Sequence, residues 1–210
     1  EVGRDYGMGF FNLANLQLAA GNMTDGDTNL LAAITQFQQL FGSDPEDLEN
    51  QWRLAICYRL RGDVKLQQQA YAAALPLYEQ ARGVIERLSH ANPNVPKYRR
   101  ELTGLKMNLG QLYGALGDSQ QALVALEDAL ELSKAYTDGD PTSHQQREQA
   151  SLYLLLAQQQ MLSGQRQLAE QNATLARTKL QRILQDSPDD EGLQRQLARA
   201  EKLVQRLSQE

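Results

Sequence analysis

Few residues in this chain are equipped for chemistry. Its 210 residues include two histidines, His90 and His144, and one cysteine, Cys57. Neither histidine has a cysteine or a second histidine at metal-ligand spacing, so each reads as a solvated or capping residue. Cys57 lies in the apolar stretch from Leu54 to Leu60, the setting of a small core residue. A nucleophilic thiol wants exposure and a cationic neighbour, and Arg59, two residues on, points to another part of a helix. Gly3, Gly7 and Gly9 follow no strand and do not spell a nucleotide-binding loop. Glu127, Asp128 and Glu131 have the spacing of a solvated helix face. No acid–base pair or activated nucleophile emerges, and the chain is expected to be neither an enzyme nor a carrier of a metal or cofactor.

Charge narrows the partners. The net charge of −5 and pI near 5.2 exclude the basic face of a nucleic-acid module. Basic residues are densest in Arg177, Lys179, Arg182, Arg195, Arg199, Lys202 and Arg206, and interleaved acids such as Asp186, Asp190 and Glu201 predict surface pairing between helices. No apolar run approaches the roughly 20 residues that cross a bilayer. A single cysteine forms no internal disulfide, and a buried free thiol suits a reducing compartment, so the expected location is cytoplasmic. The opening Glu1-Val2-Gly3-Arg4 has no signal-peptide layout and falls inside a repeat unit, which predicts a piece of a larger protein.

The elements that position these residues are set by a repeat. Asp44-Pro45, Asn92-Pro93, Asp140-Pro141 and Ser187-Pro188 are spaced by 48, 48 and 47 residues. Thirty-one residues before each proline stands a small residue: Ala14, Gly62, Gly110, Ala157. In the same register come Gly21, Gln69, Gly117 and Gly164, then Gly26, Ala74, Ala122 and Ala169, then Ala33, Ala81, Ala129 and Ala176, then Leu40, Leu88, Tyr136 and Ile183. Small residues let helices approach, and large apolar ones fill the space beside them. From Leu105 to Leu130 the apolar residues recur at three- and four-residue steps, broken only at Gly117-Asp118. That is a helical hairpin, with glycine ending one helix and Asp118 or Ser119 capping the next. Nine helices are expected, near 3–20, 27–41, 46–67, 71–90, 96–116, 119–136, 142–162, 166–185 and 189–207. The prolines are read as the first helical residues of their units, and Gly26-Asp27 as an interruption of the second helix.

Leu109, Gly110, Tyr113, Gly117, Ala122, Leu126 and Ala129 have the spacing of the tetratricopeptide (TPR) signature. The chain resembles that family, in an extended form with longer helices. The extended unit is similar to the TPR arrays that follow the kinase domain in some bacterial serine/threonine kinases, through Gln51-Trp52-Arg53-Leu54 and Gly62-Asp63. The resemblance implies one all-α domain over 1–210, a TPR-like solenoid of antiparallel helical hairpins. Its units run 1–44, 45–92, 93–140 and 141–187, and 188–210 form a C-terminal capping helix.

The resemblance also implies a function. First helices of TPR hairpins line an inner groove, which here takes Phe11, Asn15, Arg59, Asp63, Met107, Asn108, Gln111 and Gln158, with Leu154 and Met161 beside them. Asp63 next to Arg59 argues against a carboxylate clamp. The expectation is a non-catalytic protein–protein interaction module with a protein or peptide partner, within a larger bacterial signalling protein. The alternative is a structural or oligomerisation spacer, with a homodimer as one form of it.

Overall fold

The computed structural model describes residues 2–135 and 142–209. Among the described residues there are nine α-helices and no strand: α1 (Val2–Ala19), α2 (Met23–Ser43), α3 (Leu48–Gln67), α4 (Tyr71–Ala91), α5 (Pro96–Ala115), α6 (Ser119–Ala135), α7 (Ser143–Leu162), α8 (Arg166–Asp186) and α9 (Glu191–Gln209). The chain forms two compact units, Glu1–Leu105 and Lys106–Glu210. The expected Tyr136 and the Asp140-Pro141 pair lie outside the described residues.

Each hairpin closes in the same way. Gly21, Gln69, Gly117 and Gly164 take positive φ, at 83, 58, 82 and 73°. Around each, the amide of that residue bonds the carbonyl three back, and the next amide reaches five back. Gly21 N–H donates to Leu18 O and Asn22 N–H to Gln17 O, and the same pair recurs at Gln69, Gly117 and Gly164. This is the Schellman arrangement, which satisfies the orphan carbonyls of the first helix and turns the chain back at once. The column noticed in the sequence is therefore the column of left-handed residues. Glycine occupies it at no steric cost, whereas Gln69 carries a side chain there.

The helices of a hairpin then run antiparallel at close range because one of them lacks side-chain bulk. A Cβ on Gly62 would sit 2.5 Å from Tyr78 Cε1, and one on Gly110 would sit 2.5 Å from Leu126 Cγ. Tyr78 and Leu126 occupy the same repeat position, so both glycines open the space a larger partner fills. At the matching places of the fourth unit stand Ala157 and Ala173, both fully buried. The alanine columns Ala33, Ala81, Ala129 and Ala176 are buried throughout. In α9, Leu193, Ala200, Leu203 and Leu207 join the core of the last hairpin, as a capping helix should.

Pro45, Pro93 and Pro188 do a different job from the one expected: none of the three opens a helix. Asp47 N–H donates to Asp44 O at 3.4 Å, Val95 N–H to Asn92 O at 3.1 Å and Asp190 N–H to Ser187 O at 3.2 Å. Pro45, Pro93 and Pro188 thus sit second in a four-residue turn between hairpins, where their fixed φ is pre-set. Each proline carbonyl is then caught by a side chain six residues on: Gln51 Nε2 at 2.6 Å, Arg99 Nε at 3.0 Å and Gln194 Nε2 at 2.7 Å. The helix cap falls later than expected. Asp47 accepts from the amides of Glu49 and Asn50, and Thr142 forms a capping box with Gln145.

Gly26 and Asp27 do not interrupt α2, which runs unbroken from Met23. Gly26 is buried, and a Cβ there would meet Leu18 Cδ2 at 2.5 Å. Asp27 is held by α3: Arg61 Nε donates to its Oδ1 at 2.9 Å and Lys65 Nζ to its Oδ2 at 2.7 Å. Burial of the carboxylate raises its pKa, but the hydrogen bonds from Lys65 and Arg61 outweigh that and hold it below its ordinary value of 3.8.

Replacing Gln69 with glycine should relieve the left-handed strain and raise unfolding stability by about 1 kcal/mol in urea titrations. Ala129→Leu should overpack the third hairpin and lower stability by about 1–3 kcal/mol. The depressed Asp27 contributes stability that is complete above the unfolded carboxylate pKa and disappears as pH falls through the folded value. Wild type should therefore lose more stability than Asp27→Asn between about pH 5 and pH 2, measured by denaturation at each pH.

Candidate functional site

The expected inner-face residues separate into two groups of different character. Phe11 and Asn15 on α1 and Arg59 and Asp63 on α3 belong to the first unit. Met107, Asn108 and Gln111 on α5 and Gln158 on α7 belong to the second.

In the first unit the charges are spent internally. Arg59 Nη1 donates to Asp63 Oδ2 at 2.8 Å, and its Nε pairs with Glu101 on α5. Asp63 Oδ1 accepts the hydroxyl of fully buried Tyr78 at 2.7 Å. Burial works against the Arg59 charge, but the Glu101 and Asp63 carboxylates hold its pKa above the usual value. Burial and then the Asp63 charge push the Tyr78 hydroxyl up, so it stays a donor. This chain of bonds locks α3, α4 and α5 together. Arg59, read from sequence as a groove residue, is committed to two carboxylates of its own unit.

In the second unit the same two repeat positions open onto a cleft of about 250 Å³. Met107 and Leu154 hold the position of Phe11 and Arg59, and Gln111 and Gln158 that of Asn15 and Asp63. All four line the cleft, as the helical spacing of α5 and α7 predicts. Asn108 is half-buried and is not part of the lining. Sequence reasoning missed the rest of the wall: Ser151, Leu155, Gln196 and Arg199. Gln196 and Arg199 come from α9, which was read as a capping helix with surface-paired basic residues, so neither was assigned to the groove.

The cleft is neutral in its amides and apolar at Met107, Leu154 and Leu155. Gln196 Nε2 donates to Ser151 Oγ at 3.3 Å, which leaves its buried Oε1 without a hydrogen-bond donor. Arg199 is exposed at the cleft and has no ion-pair partner among the described residues. The arrangement offers one acceptor, one cation, two flanking amides and an apolar wall.

The remaining candidates fall elsewhere. Cys57 is fully buried, and desolvation pushes its thiol up to about 12 despite the nearby Arg53. His90 and His144 are exposed, one in the last turn of α4 and one at the start of α7. Among the described residues, no three His, Cys, Asp or Glu side chains converge as metal ligands would. The C-terminal charges pair both between and within helices. Asp190 does bind Arg147 of α7 at 3.0 Å, but Arg195 meets Glu191 within α9, and Lys179 Nζ donates to Gln149 Oε1 at 3.0 Å. No described helix is long and apolar enough to cross a membrane.

No protein-family model and no curated protein matches the chain. Solved structures do. BtubC (BKLC) from P. vanneervenii superposes with a TM-score of 0.64 at 18% identity, covering 86% of this chain and 63% of that one. The chain thus spans under two thirds of that protein's length. A Podosopora anserina kinesin-light-chain protein of nearly identical TPR-like repeats gives a TM-score of 0.48 at 17% identity, covering 97% of each chain. TTC0263, a TPR protein of Thermus thermophilus, gives 0.43 at 21% identity, covering 92% of this chain and 98% of its own. With the repeated hairpins and their Schellman turns, the fold class is an all-α, TPR-like solenoid of helical hairpins.

Tyr78→Phe should keep the packing but remove a bond to a charged acceptor, lowering stability by about 1.5–2 kcal/mol in urea titrations. Cys57 should resist thiol reagents in the native protein at about pH 8 and react fully once the chain is unfolded.

Proposed function

We propose that the chain is a non-catalytic protein-interaction module that takes a peptide segment in the cleft of the second unit. The observation that carries this reading is the convergence of Met107, Gln111, Leu154 and Gln158 with Gln196 and Arg199 around one opening. A peptide backbone supplies what the cleft lacks. Its N–H groups match the unpaired Gln196 Oε1, its carbonyls match the amides of Gln111 and Gln158, and an apolar side chain fits against Leu154 and Leu155. Arg199 adds preference for an acidic residue beside it. Phe11, Asn15, Arg59 and Asp63 then serve the first unit, Arg59 and Asp63 chiefly through its internal bonds. The extended repeat with Gln51-Trp52-Arg53-Leu54 and Gly62-Asp63 supports a setting in a larger bacterial signalling protein of the cytoplasm, of the kinase-associated kind.

Peptides selected by display on the wild-type protein should bind a Gln158→Ala, Arg199→Ala double variant at least about tenfold more weakly in fluorescence anisotropy. Leu175→Ala, on the exposed face of α8, should leave binding unchanged. Selected peptides that ignore the double variant and are lost with Leu175→Ala would put the interface on α8 and end the cleft reading.

A further inference from the structure

The turn between α2 and α3 departs from the three later turns between hairpins at two positions. It carries Phe41 and Leu48, where the others have Ser89 and Pro96, Thr137 and His144, and Leu184 and Glu191. A pair of large apolar side chains is therefore not something the repeat requires at this place. Nor are the two spent on the core, since Phe41 is 37% and Leu48 39% exposed. Both line a groove of about 380 Å³ between this turn and the C-terminal end of α4, wholly within the first unit. Leu88 and Ala91 of α4 extend its apolar surface. The groove also holds two opposite charges, Glu46 from the turn and Arg87 from α4. Both are exposed, and neither has an ion-pair partner among the described residues. Arg87 is nevertheless held in place. Its Nη2 donates to Gln51 Oε1 at 3.2 Å, while Gln51 Nε2 donates to Pro45 O at 2.6 Å. Gln51 is 6% exposed, so a buried amide fixed at both ends steadies the guanidinium at the groove. A carboxylate in that place would neutralise the arginine, as Glu101 and Asp63 do for Arg59. An amide positions it and leaves its charge for a ligand.

We propose that this groove is a peptide-docking site of its own, for a segment in which one large apolar side chain stands between an acidic and a basic residue. The apolar side chain lies against Phe41, Leu48 and Leu88. The acidic one pairs with Arg87, whose planar guanidinium suits a carboxylate, and the basic one pairs with Glu46. Opposite charges on the two walls fix the direction in which such a segment lies, and they disfavour one that carries a single sign of charge. The site shares no lining residue with the cleft of the second unit and does not depend on it.

A random-peptide display library selected on the full chain carrying Gln158→Ala and Arg199→Ala tests the groove with the cleft disabled. Enriched peptides should carry an acid, a large apolar residue and a base close together. In fluorescence anisotropy, Arg87→Gln and Phe41→Ala, each made in that same chain, should raise their dissociation constants at least about tenfold while helical circular dichroism is unchanged. Replacing the peptide's basic residue with alanine should weaken binding to the parent chain but not to its Glu46→Gln variant. A merely structural effect of Glu46→Gln would weaken both peptides alike and would not produce that coupling. No enrichment above a blank surface overturns the proposal. Enriched peptides that bind Arg87→Gln as tightly as the parent overturn it as well, because the interface then lies elsewhere.

Discussion

The structure depends on one backbone constraint repeated four times: a single residue must take positive φ directly after the first helix of each hairpin. That conformation sends the next two amides back to orphan carbonyls and reverses the chain within three residues. So short a turn brings the next helix into contact at once, and the contact is tolerable only where one partner is small. The glycine and alanine columns follow from that. Gly62 makes room for Tyr78 and Gly110 for Leu126, and the buried faces that result drive the remaining burial. The chain can place a non-glycine at the turn, as at Gln69, because the surrounding hairpin over-determines it.

Most of this was legible in the residues. Helix number and type followed from the three- and four-residue apolar steps, and the turn column was visible as Gly21, Gln69, Gly117 and Gly164 before its φ was known. The prolines misled because Asp-Pro suits both a helix start and a turn. The choice depends on a hydrogen bond that closes the turn across the proline and on the catch of the proline carbonyl by Gln51, Arg99 or Gln194, six residues on. Neither is a local propensity. Gly26 misled for a similar reason. In isolation it weakens a helix, but here a tertiary neighbour, Leu18, requires its bareness.

The lining of the cleft was partly legible by position and not by chemistry. On α5 and α7 the residues read as inner columns, Met107, Gln111, Leu154 and Gln158, share a cleft. Arg59 and Asp63 stand at the same positions, but Tyr78 and Glu101 absorb their charge. Sequence spacing shows which residues share a face. It does not show that a tyrosine from the next helix will take up an aspartate, or that α9 will add Gln196 and Arg199 to the wall. The same two repeat positions thus make internal bonds in the first unit and line a cleft in the second.

The central claim is that equal repeat positions impose equal backbone geometry even when the residue changes. Gln69 tests it most directly, as the one position of its column that is not glycine. Backbone chemical shifts from triple-resonance NMR report φ at that residue. The account predicts a left-handed value there, matching Gly21, Gly117 and Gly164, with helix on both sides. A negative φ at Gln69, with α3 running on into α4 or the turn moved to another residue, would contradict it.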